Sequence, residues 1–184
     1  MVPTIIGVGI LVLFVVGFVA CYNSLVRQKI TVEEAFSNMD IYLKKRYDLI
    51  PNLVETVKGY AGHEKETLSQ LVNLRSVEYG SMSDEEKMKK SSEISWAIPK
   101  ILAVAENYPD LKASTNFLNL SNQLNQVEQD IANSRKYYNG AVKKYNVSIQ
   151  SIPTNFVAVL LKYEKKPLYE IDNEEERQNV KVNF

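Results

Sequence analysis

The sequence predicts an all-α protein: an N-terminal transmembrane helix followed by an antiparallel four-helix bundle. Three observations lead there. The first 20 residues, MVPTIIGVGILVLFVVGFVA, carry no charged side chain. Beyond them, apolar residues recur in alternating steps of three and four, the period of one helix face. The 184 residues include only 7 Gly and 6 Pro, too few breaks for a turn-rich sheet.

Residues 1–22 form the anchor. At 1.5 Å per residue, 20 residues reach about 30 Å, the thickness of a hydrocarbon core. Gly7, Gly9 and Gly17 are compatible with a membrane helix. A secretory signal would carry Lys or Arg at its start and a shorter apolar core, so the segment reads as uncleaved. Ala20-Cys21 also fits the end of a lipoprotein signal, although Phe18 is bulky for that pattern and no basic start precedes it. Cys21 is therefore a candidate lipidation site, beside the plainer reading of a cysteine at the membrane border. Arg27 and Lys29 follow the span and no basic side chain precedes it. The positive-inside rule then puts the short N-terminus outside and the C-terminal domain in the cytoplasm.

Residues 23–152 form the bundle, with helices at about 23–49, 51–79, 84–107 and 113–152. Leu25, Val32, Phe36, Met39, Leu43 and Ile50 make the first seam, and Asp40 and Lys44 form an exposed i,i+4 pair. Pro51 has no N–H for the Tyr47 carbonyl and pushes Ile50 off helical dihedrals. Either the chain reverses there, with Pro51 opening the second helix, or one long helix kinks. The rhythm stays in phase from Ile50 to Leu53, which suits a kink. A helix of more than roughly 50 residues would outrun the cover offered by shorter partners, which suits a reversal, and reversal is preferred.

The second helix carries Leu53, Val57, Tyr60, Leu71 and Leu74, weakened by Gly59 and Gly62. Ser83 and Glu86 form a capping box for the third, where Asp84 and Glu85 suit the helix dipole. Glu85–Lys89 and Glu86–Lys90 pairs support its first turns. Pro99 predicts a kink between Ser95 and Pro99, and YPDLK ends the element. The fourth helix holds a long seam: Phe117, Leu120, Leu124, Val127, Ile131, Tyr138, Ala141, Tyr145 and Ile152, with Ser134 as a polar intruder and Pro153 as its close. Residues 153–184 are a membrane-proximal short helix and an acidic tail with Glu170, Asp172, Glu174, Glu175 and Glu176.

Composition narrows the chemistry. Lys plus Arg equals Asp plus Glu at 22 each, so the basic excess needed for nucleic acid is missing. One cysteine and one histidine cannot build an internal disulfide framework or an ordinary zinc site. His63 is followed by Glu64 and Glu66, but no Glu-x-x-His motif occurs, and a bundle di-metal site needs two. A solvated or capping histidine is the simpler reading. Phosphate-loop, nucleophile-elbow and His-Glu-x-x-His patterns are absent from the sequence. No catalytic, cofactor or metal residue is assigned, and no small-molecule substrate is indicated.

Several stretches are distinctive in combination: YNSLV at 22–26, RYDLIPNLVETVKGYAGHE at 46–64, ILAVAENYPDLKAS at 101–114, YYNGAVKKYN at 137–146 and the closing KVNF at 181–184. Together they resemble the LemA family over nearly the whole chain. The resemblance implies a bacterial membrane protein with an N-terminal span, a short outward N-terminus and an antiparallel four-helix bundle. Some members look like lipoproteins, and the family offers no established catalytic residues. Pro99 departs from its pattern, where a helix-compatible residue is usual.

Alternating helices would put Leu49, Ile50 and Pro51 at the same distal end as Tyr108, Pro109 and Asp110. Exposed, these apolar turns would dock a partner; facing each other, they would bury one another. Phe156, Val159, Leu160 and Lys162, with Lys165 and Lys166 beyond, would return to the bilayer as an interfacial segment, or else pack on the open end of the bundle. Tyr138 and Tyr145 with Asn139 and Asn146 repeat at seven residues, as partner anchors or as core with register-setting amides. The acidic tail is either solvated or a dock for a basic partner. The expected partners are the lipid bilayer and either another protein or a second copy of the chain. The expected function is a non-enzymatic scaffold or adaptor for envelope proteins. Alternatives are an enzyme or metal-dependent accessory subunit using bundle carboxylates, and a self-assembling structural membrane protein.

Overall fold

Helix α1 runs from Val2 to Lys58, 57 residues, in a computed structural model that describes residues 1–60 and 78–170. The surface of α1 changes along its length. Residues 2–17 are all exposed, and α1 carries an N-terminal apolar stretch long enough to cross a bilayer. From Leu25 onward a buried seam takes over: Val32, Phe36, Met39, Leu43, Tyr47, Ile50, Leu53 and Val57.

The expected reversal at Pro51 does not occur, because α1 continues through it for seven more residues to Lys58. An interior proline costs roughly 3 kcal/mol through its lost hydrogen bond and ring clash. Opposing that, Ile50, Leu53, Val54 and Val57 stay in phase and are buried, each contributing about 1.5–3 kcal/mol. Four such side chains outweigh one proline, so phase prevails. The rest of the expected second helix, with Leu71, Leu74 and His63, lies outside the described residues.

A 3-10 turn, Tyr79–Ser81, leads into α2, Asp84–Glu106. The predicted capping box is present. The Ser83 hydroxyl accepts from the Glu86 N–H, and the Glu86 carboxylate accepts from the Ser83 N–H at 2.7 Å. Pro99 does not divide α2, and Ile98, Ile101 and Ala105 are buried on either side of it. YPDLK does more than end this element. Pro109 opens a short helix α3, Pro109–Ala113, and Leu111 is wholly buried. Helix α4 covers Thr115–Ser148, and α5 covers Thr154–Leu160. Along α4 the seam follows the sequence reading at Phe117, Leu124, Val127, Ile131, Tyr138 and Tyr145. Val142 replaces Ala141 as the most buried residue of its turn, and Ile152 lies beyond the helix end, exposed. The fold is all-α, with no strand among the described residues.

The chain divides into two compact units: Met1–Ser37 with Lys136–Leu168, and Asn38–Arg135 with Tyr169–Phe184. In the first, α1 and α4 run in opposite directions. The Phe36 and Tyr138 rings meet edge-on at 5.7 Å, and Glu33, nearly a turn earlier, acts on Tyr145 further along α4. In the second unit α1 and α2 run in the same direction, with Asp40 bonded to Lys87 and Arg46 bonded to Ser91 and Ser95.

Candidate functional site

In the second unit, polar chemistry concentrates around Arg46, a fully buried arginine on the α1 seam. It lies seven residues after Met39 and seven before Leu53, both buried, so its position is a core position. One terminal nitrogen, Nη1, donates to Ser95 Oγ at 2.6 Å and to Glu128 Oε1 at 2.5 Å. The other, Nη2, donates to the Ser91 carbonyl at 2.6 Å and also to the Ser91 hydroxyl. Tyr169 in turn donates from its hydroxyl to Ser91 Oγ at 2.7 Å, and the Arg135 guanidinium stands over its ring. One guanidinium thus ties α1 to α2 and α4, and Ser91 adds the segment at Tyr169. Arg46 Nε finds no hydrogen-bond partner among the described residues.

A second cluster lies two turns earlier. Lys87 pairs with Asp40 at 2.8 Å, and the Tyr79 hydroxyl donates to the same carboxylate at 2.5 Å. Burial first, and then the bond to Asp40, push the Tyr79 phenol far above its ordinary pKa, so it stays a donor. The Tyr79 ring also packs against Tyr47 at 5.2 Å. Spacing alone pairs Asp40 with Lys44; instead Lys44 bonds Asp48 at 2.5 Å, leaving Asp40 for the tertiary contact. Likewise, Glu86 serves the cap and Lys90 pairs with Glu93, in place of the expected Glu86–Lys90 pair. Neither cluster gathers metal ligands. Among the described residues, no three His, Cys, Asp or Glu side chains come together to hold an ion.

The expected docking tip takes a different form. Leu49, Ile50 and Pro51 are interior to α1, with Ile50 buried and its neighbours half-buried, so no exposed apolar turn exists there. Tyr108 is half-buried at the start of α3, while Pro109 and Asp110 are exposed. The premise of a greasy reversal is therefore corrected: the apolar residues around Pro51 are core.

In the first unit the tyrosine ladder has a definite task. Tyr138 and Tyr145 are buried, and their hydroxyls donate to the backbone carbonyls of Pro167 and Glu164, each at 2.9 Å. Asn146 donates to the Lys166 carbonyl at 2.8 Å and accepts from the Lys166 N–H at 2.9 Å. The ladder holds the extended stretch after α5 along α4. The tyrosines are thus core and Asn146 sets register, with the chain's own backbone as the partner. Burial is the main cause of the raised Tyr145 pKa.

Phe156, Val159 and Leu160 of α5 are exposed, whereas Val157 and Ala158 are buried. Lys162, just past the helix, is exposed in a left-handed conformation, φ 55°. Cys21 is a half-buried free thiol inside the unbroken α1. Glu170 is exposed, and the rest of the acidic tail lies outside the described residues. Arg46 and its partners escape a reading by sequence, although a cation at a heptad step within an apolar seam is a visible signal.

Comparison with known proteins supplies a relationship. The LemA family profile matches residues 35–184. Protein LemA of Metamycoplasma hominis is 28% identical over 158 residues, covering 84% of this chain and 69% of that protein. Magnetosome protein MamQ 2 of Paramagnetospirillum magneticum is 25% identical over 189 residues, covering 86% and 70%. Magnetosome protein MamQ of Magnetospirillum gryphiswaldense is 24% identical over 186 residues, covering 87% and 68%. The family match begins beyond the apolar segment, so it rests on the helical domain.

Proposed function

The chain belongs to the LemA family, and from that premise we propose a non-enzymatic, single-pass membrane scaffold or adaptor for other envelope proteins. The observation that carries this reading is the continuity of α1 from Val2 to Lys58. The apolar segment and the amphipathic residues that follow it belong to one helix. A partner bound to such a domain is held near the membrane with little freedom, which suits positioning rather than turnover. The engagement of Arg46, Glu128, Asp40 and Lys87 with one another is consistent with a structural use of these charges. Arg27 and Lys29 support an orientation with the domain in the cytoplasm.

Cross-linking in intact membranes, followed by identification of the captured chains, tests the adaptor role. Reproducible capture of other envelope proteins is expected; recovery of this chain alone would replace the adaptor with a self-assembling structural protein. Stoichiometric iron, manganese or zinc in the purified protein would overturn the scaffold in favour of a metal-dependent accessory subunit. For orientation, protease added to intact protoplasts should spare the domain, and rapid cleavage would reverse the topology.

A further inference from the structure

Helix α5 is apolar on two opposite faces. Val157 and Ala158 face the protein, while Phe156, Val159 and Leu160 are 68%, 77% and 67% exposed. Ile152, in the turn that precedes the helix, is 78% exposed. A helix that is apolar all round is ordinarily a buried one. Three features of the same unit indicate what covers the outer one.

The first is place. The unit holds the apolar N-terminal segment together with residues 136–168. Tyr163, three residues past α5, has its pKa raised by burial and then by Tyr22, at the end of that segment, and its ring lies 6.5 Å from that of Tyr145 on α4. The second is charge. Arg27, Lys29, Lys136, Lys143, Lys144, Lys162, Lys165 and Lys166 face only Glu33, Glu34 and Glu164 in this unit, a net +5 within a neutral chain. Two copies meeting through this region would repel, whereas an anionic surface would attract it. The third is backbone. Lys162 occupies the left-handed position that closes α5, with its N–H on the Val159 carbonyl and the Tyr163 N–H on the Ala158 carbonyl at 2.9 Å. Glycine is the usual occupant of that position, because a side chain there is sterically disfavoured. A lysine at that position, against its backbone preference, sets its charge at the end of the exposed apolar face.

We propose that α5 is a second membrane contact, with Phe156, Val159 and Leu160 among the upper acyl chains of an anionic leaflet and Lys162 at its phosphates. An interfacial helix of this kind needs an apolar face and cations at its border, and both are present. The contact rests on the anchor reading, so its test must separate the two.

The full-length protein in vesicles of mixed phosphatidylglycerol and phosphatidylcholine with brominated chains provides that test. Trp96→Phe removes the native fluorophore, and Phe156→Trp and Val12→Trp supply two separate reporters. Both should be quenched, Phe156→Trp most by bromines near the headgroups and Val12→Trp most by bromines near the chain ends. Quenching at position 12 without quenching at position 156 overturns the interfacial contact and leaves the anchor. Absence of quenching at both positions overturns the anchor, and the contact with it. A concentration-dependent emission shift at position 156 without bromine quenching would assign the face to a second copy. Lys162→Gly relieves the backbone and removes the charge, so the fold should persist. It should lower the docked-to-undocked ratio in anionic vesicles by about fivefold, and leave it unchanged in zwitterionic ones. Equal quenching with Lys and Gly in anionic vesicles would overturn the role of Lys162.

Discussion

The unit with the apolar N-terminal segment and the unit around Arg46 both put polar groups at seam positions, and they satisfy them in different ways. In the first, Tyr138, Tyr145 and Asn146 reach the backbone of residues 164–167 with neutral hydrogen bonds. In the second, a fully buried guanidinium is matched by two serines and one carboxylate. The difference lies in what remains when a partner is lost. A neutral donor without its acceptor costs one hydrogen bond, whereas a buried cation without its anion is left uncompensated in a medium that solvates it poorly. The units also diverge in charge: +5 in the first leaves −5 for the second. The basic unit carries the apolar segment and the exposed face of α5; the acidic one carries the internal charge network.

The largest expected effect tests that contrast directly. Glu128→Gln removes the anion and leaves Arg46 buried with Ser91 and Ser95; Glu128 is partly solvated, so the loss of the charged partner should destabilise the folded domain by about 1.5–3 kcal/mol. Denaturant unfolding of the full-length protein in detergent measures it. Combining Arg46→Met with Glu128→Leu should recover most of that loss, because an apolar replacement of both partners carries no uncompensated charge. A cost below about 1 kcal/mol for Glu128→Gln would mean that water satisfies the guanidinium and that the two units do not differ in kind.

A smaller loss is expected in the other unit. Tyr145→Phe keeps the ring in the core and deletes only the bond to the Glu164 carbonyl, costing about 0.5–1.5 kcal/mol. Hydrogen exchange should show faster amide exchange over 163–168, with little change along α2. Equal loosening of both regions would show that the ladder supports the whole domain rather than the stretch it touches.

Local signals are legible in the sequence, and long-range choices among them are less so. The apolar segment, the Ser83–Glu86 cap and the seam of α4 each depend on neighbours within one or two turns, so spacing alone specifies them. Pro51 is harder, since its outcome sets a local penalty against burial contributed by Ile50, Leu53, Val54 and Val57 together. Asp40 shows the same limit: Lys44 is the right distance along the chain, but Lys87 and Tyr79 win in space. Arg46 falls between these cases. Its heptad spacing from Met39 and Leu53 is readable, while the choice of Glu128, 82 residues away, depends on how α1 meets α4. Phe156, Val159 and Leu160 stand out in the sequence by apolarity with flanking lysines; their exposure and the left-handed Lys162 are properties only coordinates give.

The smallest effect concerns a group that belongs to neither network. Glu86 has its pKa lowered because the Ser83 N–H, and then the Ser83 hydroxyl, hydrogen-bond to the ionised carboxylate. A depressed folded-state pKa means that the unfolded chain binds the proton more readily. The cap's contribution is therefore full above the ordinary carboxylate range, and it is lost as the pH falls through the lowered value. Protection of the first-turn amides of α2, measured against the intrinsic exchange rate at each pH, should fall with acid. Glu86→Gln retains an acceptor for the Ser83 N–H but cannot titrate, so it should flatten that acid response with only a slight change near neutral pH. An equally steep acid response in the variant would trace it to another carboxylate.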